Sequence, residues 1–343
     1  MNISIWNILV AVGVVGLALQ IVPGLIWAER KVCARIQGRR GPNRVGPFGL
    51  LQPVADAIKL LTKEEIVPAG VDKPLYYLGP FLVFVPAALA MAVVPWGHDM
   101  VIGGQRVPLQ VAELHVGVLF VLACTSLGVY GIAFGGWASN SKYPLLAALR
   151  SSAQMISYEV AMGLAVVAVV MTAGSVDLRE IVAVQQGTWF GVVPQWLVFK
   201  QPIAALLFLV AAFAENNRLP FDLPEAESEL VGGYHTEYSG MKFAMFFLGE
   251  YVAMITMSAV LVTLFFGGWG FPGLVDPSST SVGSALLSFA VFLAKVSFFL
   301  FFYLWVRWTL PRFRYDQLMM LGWKALIPLA LFNVVATGFV GIL

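Results

Sequence analysis

The sequence predicts an all-α integral membrane protein, a single polytopic domain over 1–343 with about eight transmembrane helices, a short amphipathic helix in the first inner loop and both termini outside. Three observations carry this reading. The chain is 59% hydrophobic and 12% charged, with mean hydropathy +0.83, whereas soluble domains run near a quarter charged. Its apolar runs recur at the roughly 20 residues that a helix needs to cross about 30 Å of hydrocarbon. Its basic residues gather on alternate connections between those runs.

The first run, 3–28, carries no charged residue and is too long for the apolar core of a signal peptide, so it reads as a span. The others fall near 76–96, 112–137, 145–173, 196–217, 242–268, 284–310 and 322–342. They are continuous rather than alternating, which predicts helices and not barrel strands. All but four of the 21 Lys and Arg residues lie on or beside the connections after spans one, three, five and seven. The exceptions are Arg106, Arg179 and Lys200 on the other face and Lys295 within a span. The positive-inside rule then puts the basic face inside.

Two inner connections are longer than the rest, about 29–75 and 218–241. In the first, GPNRVGPFG at 41–49 enforces turns around Arg44. Pro53 then opens a short helix with Val54, Ala57, Ile58 and Leu61 on one face and Asp56, Lys59 and Lys63 on the other. Such a helix lies along the inner membrane surface or plugs into the span bundle. The second connection and its flanks hold Glu215, Asp222, Glu225, Glu227, Glu229 and Glu237 against one nearby cation, Arg218. Interleaved Leu, Pro and Phe residues predict that it folds back into protein instead of extending into water.

Charges inside the spans are the functional signal. Glu159 sits midway along span four, Glu250 about a third of the way into span six, Lys295 near the middle of span seven and Glu215 near the inner end of span five. Each central charge costs roughly 2.5–3.5 kcal/mol on insertion scales, and buried ion pairs are poor value as glue. Ionisable groups at membrane depth are therefore candidate proton carriers, with Lys295 a candidate buried counter-charge for Glu159 or Glu250. Ser151, Ser152, Gln154 and Tyr158 form a polar stripe beside Glu159. Cys33 and Cys124 are far apart and the three histidines show no haem-ligand spacing, so no metal centre is expected. On these residues alone, the chain is a proton- or cation-linked membrane protein with a charged inner pocket.

GPNRVGPFGLLQPVADAIKLLTKE at 41–64 and AENNRLPFDLPEAESELVGGYHTEYSG at 214–240 resemble the two diagnostic segments of one family, the H subunit of the NADH–quinone oxidoreductase of respiratory complex I. AERK at 28–31 and PRFRYDQLM at 311–319 agree. The resemblance implies a membrane subunit at the junction with the peripheral arm, enclosing most of the tunnel by which quinone enters from the bilayer and coupling its reduction to proton translocation. Arg30, Asp56, Arg218, Phe221 and Arg307 match tunnel positions, Glu29, Glu215, Glu225 and Glu227 its acidic lining, and Glu159 and Glu250 the start of a proton path. No complete catalytic site is expected in this chain alone. Quinone is the shared substrate, while iron–sulfur clusters, flavin and NADH belong to partner subunits. The partners implied are the quinone-site and terminal iron–sulfur-cluster subunits, neighbouring membrane-arm subunits and lipid, with no nucleic acid. The location implied is a bacterial cytoplasmic or mitochondrial inner membrane. The alternatives are the membrane subunit of an energy-converting hydrogenase, an independent proton-coupled secondary transporter, and a purely structural anchor.

Overall fold

The computed structural model describes residues 5–189, 191, 193–224, 227–275 and 279–342. Helix α1 (Ile5–Ile36) is followed by a 3₁₀ turn at Pro47–Gly49, α2 (Gln52–Thr62) and α3 (Lys73–Ala92). The hairpin of β1 (Met100–Ile102) and β2 (Gln105–Val107) leads to α4 (Gly117–Ala138), α5 (Lys142–Ala173) and the short α6 (Leu178–Val184). A second hairpin, β3 (Thr188–Trp189) with β4 (Val193–Pro194), precedes α7 (Leu197–Lys200) and α8 (Pro202–Glu215). Then come α9 (Glu227–Leu230), α10 (Gly240–Phe265) and α11 (Val282–Thr309). Finally α12 (Tyr315–Met320) passes through a π-helical turn, Leu321–Leu326, into α13 (Ile327–Ile342).

Six of the described helices are long and apolar enough to cross a membrane: α3, α4, α5, α10, α11 and the rod running from Tyr315 to Gly341. Helix α1 runs on through Glu29, Arg30, Lys31 and Arg35, beyond the expected end at residue 28. Charge does not stop a helix built of good helix formers. The fifth expected span, 196–217, is not one helix. It breaks at Gln201 (φ −129°, ψ 57°), because Pro202 has no N–H to give and disfavours helical geometry in the residue before it. What remains, α8, is 14 residues, roughly 21 Å, short of a full crossing.

Contacts sort the connections into two ends. At one end Asp72 N–H bonds the Ala138 carbonyl, Arg150 pairs with Glu229, Arg312 with Asp222 and Arg307 with Glu29. This is the basic end. At the other, Val101 N–H reaches Thr280, Val118 N–H reaches Val176, and Arg179 pairs with both Asp99 and Glu113. Gln201, at the start of α8, donates to Thr337 near the end of α13 at this same end.

Helix α10 is the axis: 72% of its most apolar stretch is buried, against 28–50% in the other five spans. It packs on α3, which in turn packs on α4, and α5 packs on α4 and α8. Lipid gives helices no hydrophobic reason to associate, so close approach and dispersion must hold them. At the α3–α4 crossing a Cβ on Gly79 would stand 3.0 Å from Gly135 Cα, so only small residues admit this contact. Ala204, Ala205, Ala211 and Ala212 of α8 are likewise buried.

Helix α2 packs on α1 and α10, and its sidedness is informative. Val54, Ile58 and Leu61 are exposed, whereas Asp56 turns toward Arg30 of α1 and accepts from Gln52. The preceding turns are enforced by Gly49 (φ 77°), where a Cβ would sit 2.3 Å from the Pro42 carbonyl oxygen, and Arg44 is exposed.

Candidate functional site

The end of α8 builds the site. Glu215 and Asn216 close the helix, and Asn217 takes the left-handed conformation (φ 50°) that Asn tolerates better than most residues. Asn217 N–H donates to Ala214 O and Arg218 N–H to Phe213 O, the paired bonds of a Schellman cap. The reversal drives Arg218 back among the helices, where its side chain is 3% exposed. The corner is pinned from α5, since Gln154 donates to the carbonyls of Ala214 and Phe221 (2.8 Å each) and Ser151 to Asn217 Oδ1 (3.2 Å). Phe221 lies between a tilted Tyr158 ring and a stacked Phe313 ring, and the Phe313 N–H donates to Pro220 O.

Around Arg218 four elements contribute a network. Its guanidinium pairs with Glu250 of α10 and donates to Glu29 of α1 at 3.2 Å, lying 4.5 Å over the Tyr251 ring. Arg307 of α11 donates to Glu29 Oε1 at 2.5 Å, and Tyr251 donates its hydroxyl proton to Glu29 Oε2 at 2.5 Å. Two guanidinium groups thus face two carboxylates, so the network is neutral although each member is costly alone. Asn216 donates to Tyr303 on α11 (3.2 Å), which locks the same turn.

Beside the network lies a cavity of about 60 Å³, room for a few waters, lined by Glu215, Asn216, Asn217, Glu250, Thr125 and Thr256 among others. Both carboxyl oxygens of Glu215 and Nη2 of Arg218 are buried with no hydrogen-bond partner among the described residues. Orphaned polar atoms of this kind mark a place for water, a proton or a ligand. Glu215 is near enough to Glu159 to feel its charge. Glu159 accepts from Ser126 Oγ across the α4–α5 contact.

The structure therefore brings Glu29, Arg218, Glu250 and Arg307 into one cluster, sets Glu215 beside it and leaves Glu159 one step away. Arg30 and Asp56 form a separate, partly exposed pair (2.6 Å) at the basic end. Glu225 and the side chain of Glu227 lie outside the described residues. Lys295 is not the counter-charge expected: its ammonium donates to the carbonyls of Phe266 (2.8 Å), Gly268 (2.9 Å) and Gly270 (2.6 Å), at the far end of α10, over the Trp196 ring. Arg307 reaches Glu29 instead, and it stands three turns along α11 from Lys295, roughly 18 Å away. Tyr251, Tyr303, Asn216 and Ser126 were not legible as site residues, because single polar groups inside apolar runs carry no spacing that marks them.

At the opposite end a second charged group knits the loops. Burial alone would push the Asp99 carboxyl up, but hydrogen bonds and charge from Arg179 and Arg106 hold it below the usual carboxylate range.

The chain matches the sequence profile of the NADH dehydrogenase family over residues 8–338. It is 55% identical over 316 residues to the second H subunit of the NADH-quinone oxidoreductase of Geobacter sulfurreducens, covering 92% of this chain and 90% of that one. The chain belongs to the H-subunit family of NADH-quinone oxidoreductases. Subunit 8 of the Rhodothermus marinus NADH-quinone oxidoreductase is 52% identical over 340 residues, 96% of this chain and 95% of the relative. The H subunit of the Thermomicrobium roseum NADH-quinone oxidoreductase is 51% identical over 343 residues, 98% and 97% respectively. With family membership this broad, the hydrogenase and transporter alternatives lose their footing.

Proposed function

We propose that this chain is the membrane subunit of a proton-pumping NADH–quinone oxidoreductase, and that it encloses the quinone path and couples quinone reduction to proton movement. The observation that carries the reading is the neutral Glu29–Arg218–Glu250–Arg307 network beside an orphaned Glu215. Buried ionisable groups at membrane depth are functional by default. The mechanism follows from charge balance. Reduction of a quinone to the quinol takes two electrons, supplied by a partner subunit, and two protons. Those protons are drawn through groups near the headgroup, and Arg30 with Asp56, Arg218 and Arg307 would line its path. Any change of charge there disturbs the balance at Glu29, which two guanidinium groups share. Arg218 also holds Glu250, so the disturbance passes to Glu250, to Glu215 through cavity water, and then to Glu159. Glu225 and Glu227 extend the acidic lining in this reading, and Phe221 fixes the corner that carries Arg218.

Eight crossings result if α1 and the shortened α8 join the six apolar spans, with both termini outside and the basic end facing the peripheral arm. That arm and the neighbouring membrane subunits would be the partners, in a bacterial inner membrane.

The test is the pair of variants Glu159→Gln and Glu250→Gln, assembled and reconstituted in vesicles. The reading predicts that quinone-coupled proton pumping falls severalfold while the complex still assembles. Normal pumping by both variants contradicts it.

A further inference from the structure

Helices α1 and α11 leave a slot between their outward faces, and none of the residues set along the proposed quinone path lines it. It comprises two adjoining cavities of about 770 and 300 Å³ that share Val32 and Phe301. The wider one lies at the basic end, lined by Trp27, Lys31, Arg35, Phe48 and Trp305. The narrower one continues toward the middle of the bundle along Ile21, Gly24, Leu25, Ser297 and Leu304. One end is cationic and aromatic and the other apolar.

We infer that this slot binds one phospholipid with an anionic headgroup, its phosphate on Lys31 and Arg35 and an acyl chain between α1 and α11. Lys31 and Arg35 stand four residues apart in the last turns of α1, hence on one face. Neither has an ion-pair partner among the described residues; Lys31 lies 5.9 Å over the Trp27 ring. Cations at a membrane interface attract anionic headgroups, and Trp is enriched at that level. Phe48 adds an independent sign: it is 73% exposed and held at φ 54°, with its carbonyl accepting from Trp27 Nε1 at 3.1 Å. A bulky residue at positive φ is an outlier, and here it holds an aromatic ring out at the mouth of the slot.

The occupant follows from charge and size. A quinone head is uncharged and gives two unpaired cations nothing to neutralise. From Ile21 to Val32 the slot is roughly 16 Å long. That is close to the half-thickness, about 15 Å, of the hydrocarbon layer that one acyl chain spans. An acyl chain matches the length of the groove, and the cations at its end match an anionic headgroup. The inference rests on the membrane setting alone and stands apart from the quinone reading.

The experiment uses the intact complex purified in mild detergent, with bound phospholipid counted by native mass spectrometry. The variants are Lys31→Gln with Arg35→Gln, which removes the charge, and Gly24→Leu, which fills the tail slot. A Cβ on Gly24 meets nothing within 4 Å, so the leucine enters open space. Each variant is expected to retain one fewer phosphatidylglycerol or cardiolipin per complex, with phosphatidylethanolamine unchanged. Unchanged anionic lipid in both variants overturns the proposal. So does unchanged lipid accompanied by a raised KM for quinone, which makes the slot a quinone mouth, or by loss of a partner subunit, which makes it a protein interface.

Discussion

Glu29 accepts from Arg218, Arg307 and Tyr251, so three donors converge on one carboxylate. Arg307→Met removes one of two cations and leaves the network with an excess negative charge. Breaking a fully buried pair costs roughly 3–5 kcal/mol, and less is expected here because Arg307 keeps about a fifth of its side chain exposed. Quinone reductase activity per assembled complex should fall at least tenfold, measured with a soluble quinone. Lys295→Met is the contrast. It strips a donor from three carbonyls at the end of α10, where a charge-assisted hydrogen bond contributes about 1.5–3 kcal/mol. It should lower the Tm of the purified complex and leave turnover per complex intact. Glu159, Glu215, Glu250 and Lys295 stood out in the sequence because a charge among apolar residues is conspicuous, whereas Glu29, just past the end of the first run, entered only through the family resemblance. Which cation met which carboxylate did not, since pairing depends on helix rotation and depth, and composition encodes neither.

The turn after α8 is the element on which the site hangs. Asn217→Val places a β-branched residue at positive φ, at about 1–2 kcal/mol, and should loosen the Arg218 corner. Asn217→Gly, which tolerates the backbone but loses the side-chain acceptor for Ser151, should loosen it less, a difference that hydrogen exchange at Arg218 and Phe221 reads directly. At the opposite end the Asp99 carboxyl is held low in the folded protein. A group depressed on folding adds stability above its unfolded value, near pH 4, and loses it as pH falls through the folded value. Amide protection over 99–113 should therefore be flat above about pH 4 and decline below it. In Arg179→Met the folded value moves back up toward the unfolded one, so the decline below about pH 4 should be smaller. The amphipathic α2 was visible in its spacing. Its orientation was not, because the apolar face turns outward and Asp56 turns in toward Arg30. The break at Gln201 was signalled by Pro202, but a continuous apolar run on both sides masked it.

Across the whole molecule, the ionisable groups of the network and cavity crowd toward the basic end, while α10 and its neighbours fill the other half with apolar side chains such as Val260, Leu261 and Leu264. In the proposed relay, a proton on Glu159 or Glu250 would face apolar side chains ahead and would leave this chain sideways. Run length and charge asymmetry made the helical membrane class readable before any coordinates, since both are imposed by lipid itself. The arrangement of helices around α10 depends on which small residues meet, and that is a property of pairs of surfaces. In the proposed mechanism, carboxyl groups of this network change protonation when quinone is reduced. Infrared difference spectra of the assembled enzyme, taken between quinone and quinol states, report those protons. A carboxyl C=O band is predicted in the difference spectrum that is lost in Glu250→Gln and shifted in Glu215→Gln. A spectrum identical in wild type and both variants would mean that these carboxyl groups keep their protons throughout turnover.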